Sequence, residues 1–339
     1  MFLSNNNTME KYKRLTNKQF QKFFKEFKEL VEIYGKESVK TETDWKKYER
    51  EYADRVRYVG RELNVIVKLA MGSVIIKKSG FGRPEKLSLT QKVVALLLKS
   101  IFSENNRPMA GLMSLFGAFC GIDISYKTIE RLYSDELVRI VLHNMFILTV
   151  KRKCDKKVDT TGDATGYTLT VTKHYRTQVD KEGYRKFVYS FNLMDIKTGL
   201  YICYGLGVRS EKEAFENAMK MLRKVEKAAE ITVNSARLDR YYSYQSTLKY
   251  FDYETVLYII PKSNTKINGP LRWRNIFKRM MRDPLSYLIE YYKRENSESG
   301  FSTDKRMVGW KIWQKNNDRI DTAICCVAVL HNLFRMGYD

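Results

Sequence analysis

The 339-residue chain has few of the features that mark secreted, membrane-spanning or zinc-stabilised proteins. Its five cysteines form no Cys-x-x-Cys pair and its three histidines are far apart, so a structural zinc site is not expected. The start, "MFLSNNNTMEKYKR", has no apolar stretch for a signal peptide, and the most apolar segment, "IVLHNMFILTV", is too short to span a bilayer. Only five prolines argue against extended linkers. We therefore expect a cytoplasmic protein whose thiols are reduced, with no membrane contact.

Positive charge is what the chain has in excess. Its 61 basic and 39 acidic residues give a net charge of +22. The positive side chains would repel one another in the folded protein unless a polyanion neutralised them. With 44% hydrophobic and 13% aromatic residues, the chain is globular and long enough for two or three domains. This balance predicts a nucleic-acid partner in preference to an anionic membrane surface.

The first two regions predicted along the chain are helical. Residues 1–80 have apolar residues at helical spacing, such as Phe20, Phe24 and Phe27, which predicts helices with a packed apolar face. This region could also help to bind DNA or form a dimer. In residues 81–152, "TQKVVALLLKSIF" is an apolar helix with Ser88 as its N-cap. It is followed by predicted helices over "RPMAGLMSLFGAF" (107–119) and, after Ser125, "YKTIERLYSDELV" (126–138).

The last two of these helices are joined by a short turn that contains glycine, as in a helix-turn-helix. Tyr126, Lys127 and Arg131 would then be the DNA-contacting side chains of the second helix. A plain helical connector fits the same pattern.

The third region, residues 153–339, changes from helices to strands. "YTLTVT" and "YRKFVYSFNLMDIKTGLYICYGLG" read as three strands, with a turn at "DIKTG". A helix over about 211–230 follows, then strands at "ITVNSARL" and "YETVLYIIP", and closing helices. This order predicts an α/β ribonuclease-H-like domain: a mixed five-stranded sheet with flanking helices, preceded by the all-α N-terminal region.

Two aspartates stand at predicted strand ends. Asp163 precedes the strand "YTLTVT", and Asp239 directly follows the fourth strand. For either residue alone, N-capping or turn formation is the commoner role. A third carboxylate lies in "YYKRENSESGFSTDK" (291–305): if this stretch is one helix, Tyr291, Arg294, Glu298 and Lys305 share one face. A glutamate among cations suits a metal ligand beside a phosphodiester, with Glu295 as the fallback.

The spacing Tyr291-x2-Arg294-x3-Glu298-x6-Lys305 resembles the C-terminal signature of a large group of prokaryotic insertion-sequence transposases, the DDE enzymes whose last motif is spelled Y-R-E-K. "DATGYTLTVTKHYRT" is similar to the first-Asp motif of this group, and "LDRYYSYQSTLKYF" to the second. The similarity extends over about residues 156–336. "VDTTGDATG" offers Asp159 as an alternative first carboxylate, but the downstream "HYR" spacing fits Asp163 better.

The resemblance implies that Asp163, Asp239 and Glu298 bind two Mg²⁺ or Mn²⁺ ions, with Tyr291, Arg294 and Lys305 contacting DNA. It further implies a nucleoid-associated prokaryotic endonuclease that acts on the terminal inverted repeats of its own element and on target DNA, as a homodimer in the DNA complex. Two alternatives remain: a catalytically inactive, transposase-derived helix-turn-helix protein, or a ribonuclease-H-like nuclease that cuts without joining.

The segment between Lys262 and Arg294 is strongly basic, with nine basic and two acidic residues. It is either a solvated face or a DNA track that includes Trp273 and Phe277.

Overall fold

A computed structural model describes residues 16–37, 44–75, 85–102, 106, 108–110, 112–113, 124–169 and 187–337. Within these residues, helices precede the first strand, as the sequence predicts. Their bounds are α1 Asn17–Glu37, α2 Trp45–Met71, α3 Leu89–Ile101, α4 Tyr126–Leu132 and α5 Glu136–Lys153.

Side-chain caps set the starts of the middle helices. Ser88 begins α3 in a reciprocal capping box with Gln91, and Ser125 accepts a hydrogen bond from the backbone of Thr128 at the start of α4. The predicted single helix over 126–138 is wrong, because α4 ends at Leu132 and Asp135 caps a new helix, α5. The predicted helix over 107–119 lies mostly outside the described residues, so the helix-turn-helix remains a prediction.

The strands form one mixed sheet. Their bounds are β1 Lys157–Leu169, β2 Phe187–Asp195, β3 Tyr201–Gly207, β4 Thr232–Leu238, β5 Val256–Ile259 and β6 Lys311–Ile312. The main order is β3-β2-β1-β4-β5, with the first three strands antiparallel and β4 and β5 parallel to β1. The predicted mixed sheet of five strands is confirmed. The short β6, which pairs with the end of β1, was not predicted.

Helices flank this sheet as predicted. They are α6 Glu211–Ala229, α7 Leu271–Arg282, α8 Pro284–Tyr292, α9 Glu295–Val308 and α10 Asn317–Met336. The apolar face of α6, which contains Phe215 and Leu222, is buried. No helix in the described part of the chain is long and apolar enough to cross a membrane.

The first N-terminal helix packs directly on the last region. The ring centroids of Phe20 in α1 and Phe277 in α7 are 4.9 Å apart, and Tyr34 stacks on Tyr292 at 5.0 Å. Asn17 Oδ1 also accepts a hydrogen bond from the backbone of Ile267. The helical region therefore supports the helices that follow the sheet, while the domain boundaries at 80 and 152 remain predictions.

Candidate active site

Strand pairing brings the two aspartates together. In the parallel pair of β1 and β4, Gly162 lies opposite Leu238, so Asp163 and Asp239 follow at adjacent positions on neighbouring strands. Asp163 does not precede its strand, as predicted, but lies inside β1. The turn-like residues around it are held extended because β1 pairs with β2 on one side and with β4 on the other.

Asp239 directly follows β4 and acts as a cap. Its Oδ2 accepts a hydrogen bond of 3.0 Å from the backbone N–H of Tyr241, which starts a 3₁₀ turn over Arg240–Tyr242. The capping role considered from the sequence is therefore real. Oδ1 takes no part in that bond, so capping and a second role are compatible.

The stretch 291–305 is not one helix. Helix α8 ends at Tyr292 and α9 begins at Glu295, with i→i+3 bonds between them, such as Ser297 N–H to the Arg294 carbonyl at 3.0 Å. The Arg294 carbonyl also accepts from Ser297 Oγ at 2.7 Å and from Thr161 Oγ1 of β1 at 3.3 Å. These bonds tie the helix junction to β1.

The junction places the Arg294 guanidinium among all three predicted carboxylates. Its nitrogens lie 3.6 Å from Asp163 Oδ2, 3.8 Å from Asp239 Oδ1 and 3.3 Å from Glu298 Oε1. The ring of buried Tyr291 lies beneath the guanidinium, 5.7 Å from Cζ. Arg294, Tyr291 and the three carboxylates thus form one cluster, which we call the carboxylate cluster.

Burial dominates the electrostatics of the cluster. It raises the pKa of Asp163 to about 6, and the charges of Asp239 and Glu298 also raise it, although the Ala164 N–H and Arg294 lower it. Burial lowers the pKa of the Arg294 guanidinium, but Tyr291 and the three carboxylates together raise it above its ordinary value. Arg294 therefore stays charged while Asp163 takes up a proton more readily than an ordinary aspartate.

Lys305 lies beside the cluster rather than in it. It is two turns of α9 beyond Glu298, and its Nζ is 4.6 Å from the ring centroid of exposed Trp310 and 5.7 Å from that of Tyr167. Burial lowers its pKa. The two rings fix the position of this cation. The predicted single helical face is therefore wrong: Tyr291, Arg294 and Glu298 lie together at the helix junction, and Lys305 lies apart from them.

The alternative carboxylates lie elsewhere. Asp159 accepts hydrogen bonds from Asn234 Nδ2 at 2.8 Å and from Ser235 Oγ, both on β4. Glu295 is exposed at the start of α9 and makes no ion pair with Arg294. Of the carboxylates considered from the sequence, the structure brings Asp163, Asp239 and Glu298 together.

Polar contacts that position α8 and α9 have no sequence signal. Arg237 of β4 forms an ion pair with Glu290 of α8. Asp304 of α9 accepts from Tyr201 Oη at 2.7 Å and lies 2.6 Å from His331 Nδ1, while His331 Nε2–H donates to the Gly199 carbonyl at 2.8 Å. These contacts join residues that are far apart in the chain, which is why periodicity did not reveal them.

The predicted helix-turn-helix side chains are separate from this cluster. Lys127 and Arg131 are exposed on α4 and Tyr126 is half-buried there. The neighbouring Glu130 forms an ion pair with Arg319 at the start of α10. None of the three contacts Arg294 or the carboxylates.

Oxygen donors alone are the ligand type that Mg²⁺ and Mn²⁺ prefer. As the side chains stand, however, the described residues contain no group of three or more acidic, histidine or cysteine side chains spaced to hold a metal ion. The guanidinium lies where the three carboxylates would have to meet. The donor set fits such ions chemically, provided that Arg294 withdraws.

The chain is similar to a known protein over most of its length. No family model matches the chain. It is 42% identical over 292 residues to the probable transposase for insertion sequence element ISA1214 of Archaeoglobus fulgidus, and the match covers 86% of this chain and 87% of that protein. Because so high an identity extends over most of both proteins, the chain belongs to the insertion-sequence transposases.

Proposed function

We propose that the chain is a DDE transposase, in which Asp163, Asp239 and Glu298 bind two Mg²⁺ or Mn²⁺ ions. It would bind the terminal inverted repeats of its own insertion sequence, cleave the element ends and join them to target DNA. The observation that carries this proposal is the convergence of these three carboxylates on one guanidinium, although they come from a strand, a strand end and a helix.

The sheet supports the proposal. Its order, β3-β2-β1-β4-β5, with an antiparallel meander followed by parallel strands, is the order expected of a ribonuclease-H-like domain. In this order β1 and β4 are central neighbours, so aspartates at matched positions on them lie side by side. The helix that follows the sheet then contributes Glu298.

Each side chain of the cluster has a role in this proposal. The carboxylates supply oxygen ligands, and the chemistry that two bound ions provide is activation of the attacking oxygen and stabilisation of the leaving oxygen. Arg294 neutralises the carboxylates in the free protein and pairs with a DNA phosphate once it has withdrawn. Tyr291 supports the guanidinium, and Lys305, fixed between two rings, neutralises a neighbouring phosphate.

Double-stranded DNA is the partner that this chemistry requires, both as element end and as target. The net charge of +22 is consistent with binding such a polyanion. Because the two ends of an element have to be brought together, we expect a homodimer in the DNA complex.

The test is a cleavage and strand-transfer assay on duplexes carrying the DNA that flanks the gene, with Mg²⁺ or Mn²⁺. We expect Asp163→Asn, Asp239→Asn and Glu298→Gln each to abolish cleavage while DNA affinity is retained. An asparagine at either aspartate keeps the oxygen that accepts the observed backbone hydrogen bond, so the fold is preserved. The matched controls are Asp159→Asn and Glu295→Gln, which should remain active.

The outcomes separate the functions that the sequence left open. Cleavage followed by joining supports the proposal, cleavage alone indicates a nuclease, and binding without either indicates an inactive DNA-binding protein. Full activity of Glu298→Gln would overturn the site assignment. If Asp163→Asn were active and Asp159→Asn inactive, Asp159 would take the place of Asp163 as the first carboxylate, and the other two assignments would stand.

A further inference from the structure

Helix α7 presents a basic stripe on its outer surface. Its sequence, "LRWRNIFKRMMR", has five basic residues and no acidic one. Trp273, Ile276, Phe277 and Met280 of α7 are buried, so its aromatic residues are core and do not alternate with the cations on the surface. On the opposite side, Arg274, Lys278 and Arg282 are exposed at positions i, i+4 and i+8.

Other cations of this region have partners within the fold. Arg272 donates to the carbonyls of Leu248 and Phe251, both at 2.9 Å, and Arg279 lies over the ring of Tyr258. Lys293 pairs with Glu290 and Arg294 lies in the carboxylate cluster. Several basic residues of the predicted DNA track are therefore structural. Arg274, Lys278 and Arg282, which we call the α7 stripe, remain exposed on the surface.

The α7 stripe has fewer partners. Within the described residues, the side chains of Arg274, Lys278 and Arg282 form no ion pair and no hydrogen bond, and the one charge acting on them is that of exposed Asp283, whose pKa Arg282 helps to lower. Helix α1 contrasts with it, because exposed lysines of that helix are followed four residues later by exposed glutamates: Lys22 and Glu26, Lys25 and Glu29, Lys28 and Glu32. Three cations on one helical face, with a single exposed carboxylate beside the last of them, favour a polyanion over plain solvation.

Helix α7 runs towards the end of the sheet that carries the carboxylate cluster. Arg272 Nη2 lies 3.1 Å from the Thr255 carbonyl at the start of β5, and Arg279 Nη1 lies 3.4 Å from the Leu257 carbonyl further along it. Helix α7 therefore runs in the direction of β5. Tyr287 of α8 then bonds to Ile259 at the end of β5, the same edge at which Asp239 follows β4.

The spacing fits a DNA backbone. Residues four apart in a helix are about 6 Å apart along its axis, so the three cations cover about 12 Å. A strand of duplex DNA presents one phosphate per about 3.4 Å of its axis, which places about three phosphates within that length. All three side chains are long, and none is held by a hydrogen bond or ion pair to another described residue.

From this we infer that Arg274, Lys278 and Arg282 form a binding surface for the phosphate backbone of double-stranded DNA beside the candidate active site. The inference rests on the proposed function and adds to it the surface that holds the DNA. Phosphate contacts position DNA without reading its sequence, so this surface serves element ends and target DNA alike.

The test is fluorescence anisotropy of labelled duplexes at a series of NaCl concentrations, in EDTA so that the DNA stays intact. One variant combines Arg274→Gln, Lys278→Gln and Arg282→Gln. The matched control combines Lys220→Gln, Lys224→Gln and Lys227→Gln, which removes three exposed charges from one face of α6, packed against β2 and β3 at the other end of the sheet. Circular dichroism checks that both proteins are folded.

We expect the α7 variant to lose affinity at least about tenfold, and the slope of log K against log [NaCl] to fall by about 2 to 3, since each phosphate contact contributes about 0.9. The loss should be equal on an element-end duplex and on an unrelated duplex of the same length, while the α6 control changes little. Equal losses in the two variants, or a loss confined to one duplex, would overturn this inference alone. A wild-type chain without salt-dependent DNA affinity would overturn both it and the proposed function.

Discussion

Arg294 and Asp163 are remote in sequence, yet a guanidinium nitrogen of one lies 3.6 Å from a carboxylate oxygen of the other. The same guanidinium reaches Asp239 and Glu298, so one cation stands among three anions. A divalent ion that used these oxygens would need the place that the guanidinium holds. Arg294 and metal ions should therefore compete for the cluster.

The first prediction concerns that competition. Arg294→Gln leaves three carboxylates close together without their cation, and a divalent ion would relieve the repulsion more strongly than it does in the wild type. We expect Mn²⁺ affinity, measured by titration calorimetry without DNA, to rise about tenfold, or about 1.4 kcal/mol. Without metal, the free energy of unfolding should fall by about 1–3 kcal/mol.

Lys293→Gln is the control for this prediction, because it removes the neighbouring, exposed cation that pairs with Glu290 outside the carboxylate cluster. Its Mn²⁺ affinity should match that of the wild type. If both variants bound Mn²⁺ equally well, Arg294 would not be a competitor for the metal site.

The second prediction is a pH dependence of stability at Asp163. Burial raises the pKa of this carboxyl from an ordinary 3.8 to about 6, so the folded state holds the proton more tightly than the unfolded state. The stabilisation that this tighter proton binding gives the folded state is fully present below about pH 4 and is lost as the pH rises through 6. Above pH 6 the buried carboxylate costs about 3 kcal/mol, from about 1.4 kcal/mol for each of about two pH units.

Asp163→Asn removes this cost at neutral pH. We expect its free energy of urea unfolding, in EDTA, to exceed that of the wild type by about 1–3 kcal/mol at pH 7.5 and to equal it near pH 4. Asp283→Asn should show the opposite sign at pH 7.5, because hydrogen bonds from Ser286 lower the pKa of Asp283. A gain for Asp163→Asn that is the same at both pH values would contradict the assignment of the pKa.

The third prediction concerns the buried contacts that hold α9. Asp304 and His331 are each 1% exposed, and the His331 Nε2–H already donates to a carbonyl. A proton therefore has to lie between His331 Nδ1 and Asp304. Asp304→Ala would leave His331 and Tyr201 without their shared partner, and we expect a loss of about 3–5 kcal/mol in urea unfolding.

Tyr201→Phe provides a graded comparison, since it removes one hydrogen bond to Asp304 and leaves the contact with His331. Its cost should be smaller, about 1–3 kcal/mol. Equal costs for the two variants would show that the contact between Asp304 and His331 contributes little to the attachment of α9.

Sequence reasoning selected three carboxylates that the structure brings together, because motif spacing and strand order both depend on local patterns. It also found the α3 and α4 caps, since a serine before an apolar run acts within one turn. The prediction of one helix over residues 291–305 failed. A hydrogen bond from Thr161, remote in the chain, to the Arg294 carbonyl helps to hold the junction that separates α8 from α9. Helical periodicity contains no information about such a contact.

The limits of β1 show the same difficulty. The glycines and aspartates of "VDTTGDATG" favour a turn by local preference, yet pairing on both sides keeps this segment extended. The contact between Asp304 and His331 was equally hidden, because each residue alone is unremarkable on its helix. What could not be predicted was long-range pairing rather than local structure.

The fourth prediction compares two helical glycines. A Cβ atom at Gly300 of α9 would lie 3.3 Å from Tyr201 Oη and 3.4 Å from Met194 Sδ, so α9 approaches the sheet closely where Glu298 is positioned. At Gly60, on the exposed side of α2, a Cβ atom would meet nothing within 4 Å. Both glycines are helical, and they differ in the free space around an added Cβ atom.

We expect Gly300→Val to lower the free energy of unfolding by about 1–3 kcal/mol, because its branched side chain would displace Tyr201 or Met194. Gly60→Ala should raise it by about 0.5–1 kcal/mol, through helix propensity alone. Urea unfolding of both variants measures these changes. If Gly300→Val were as stable as the wild type, α9 would have moved away from the sheet, and cleavage activity should then fall because Glu298 would move with it.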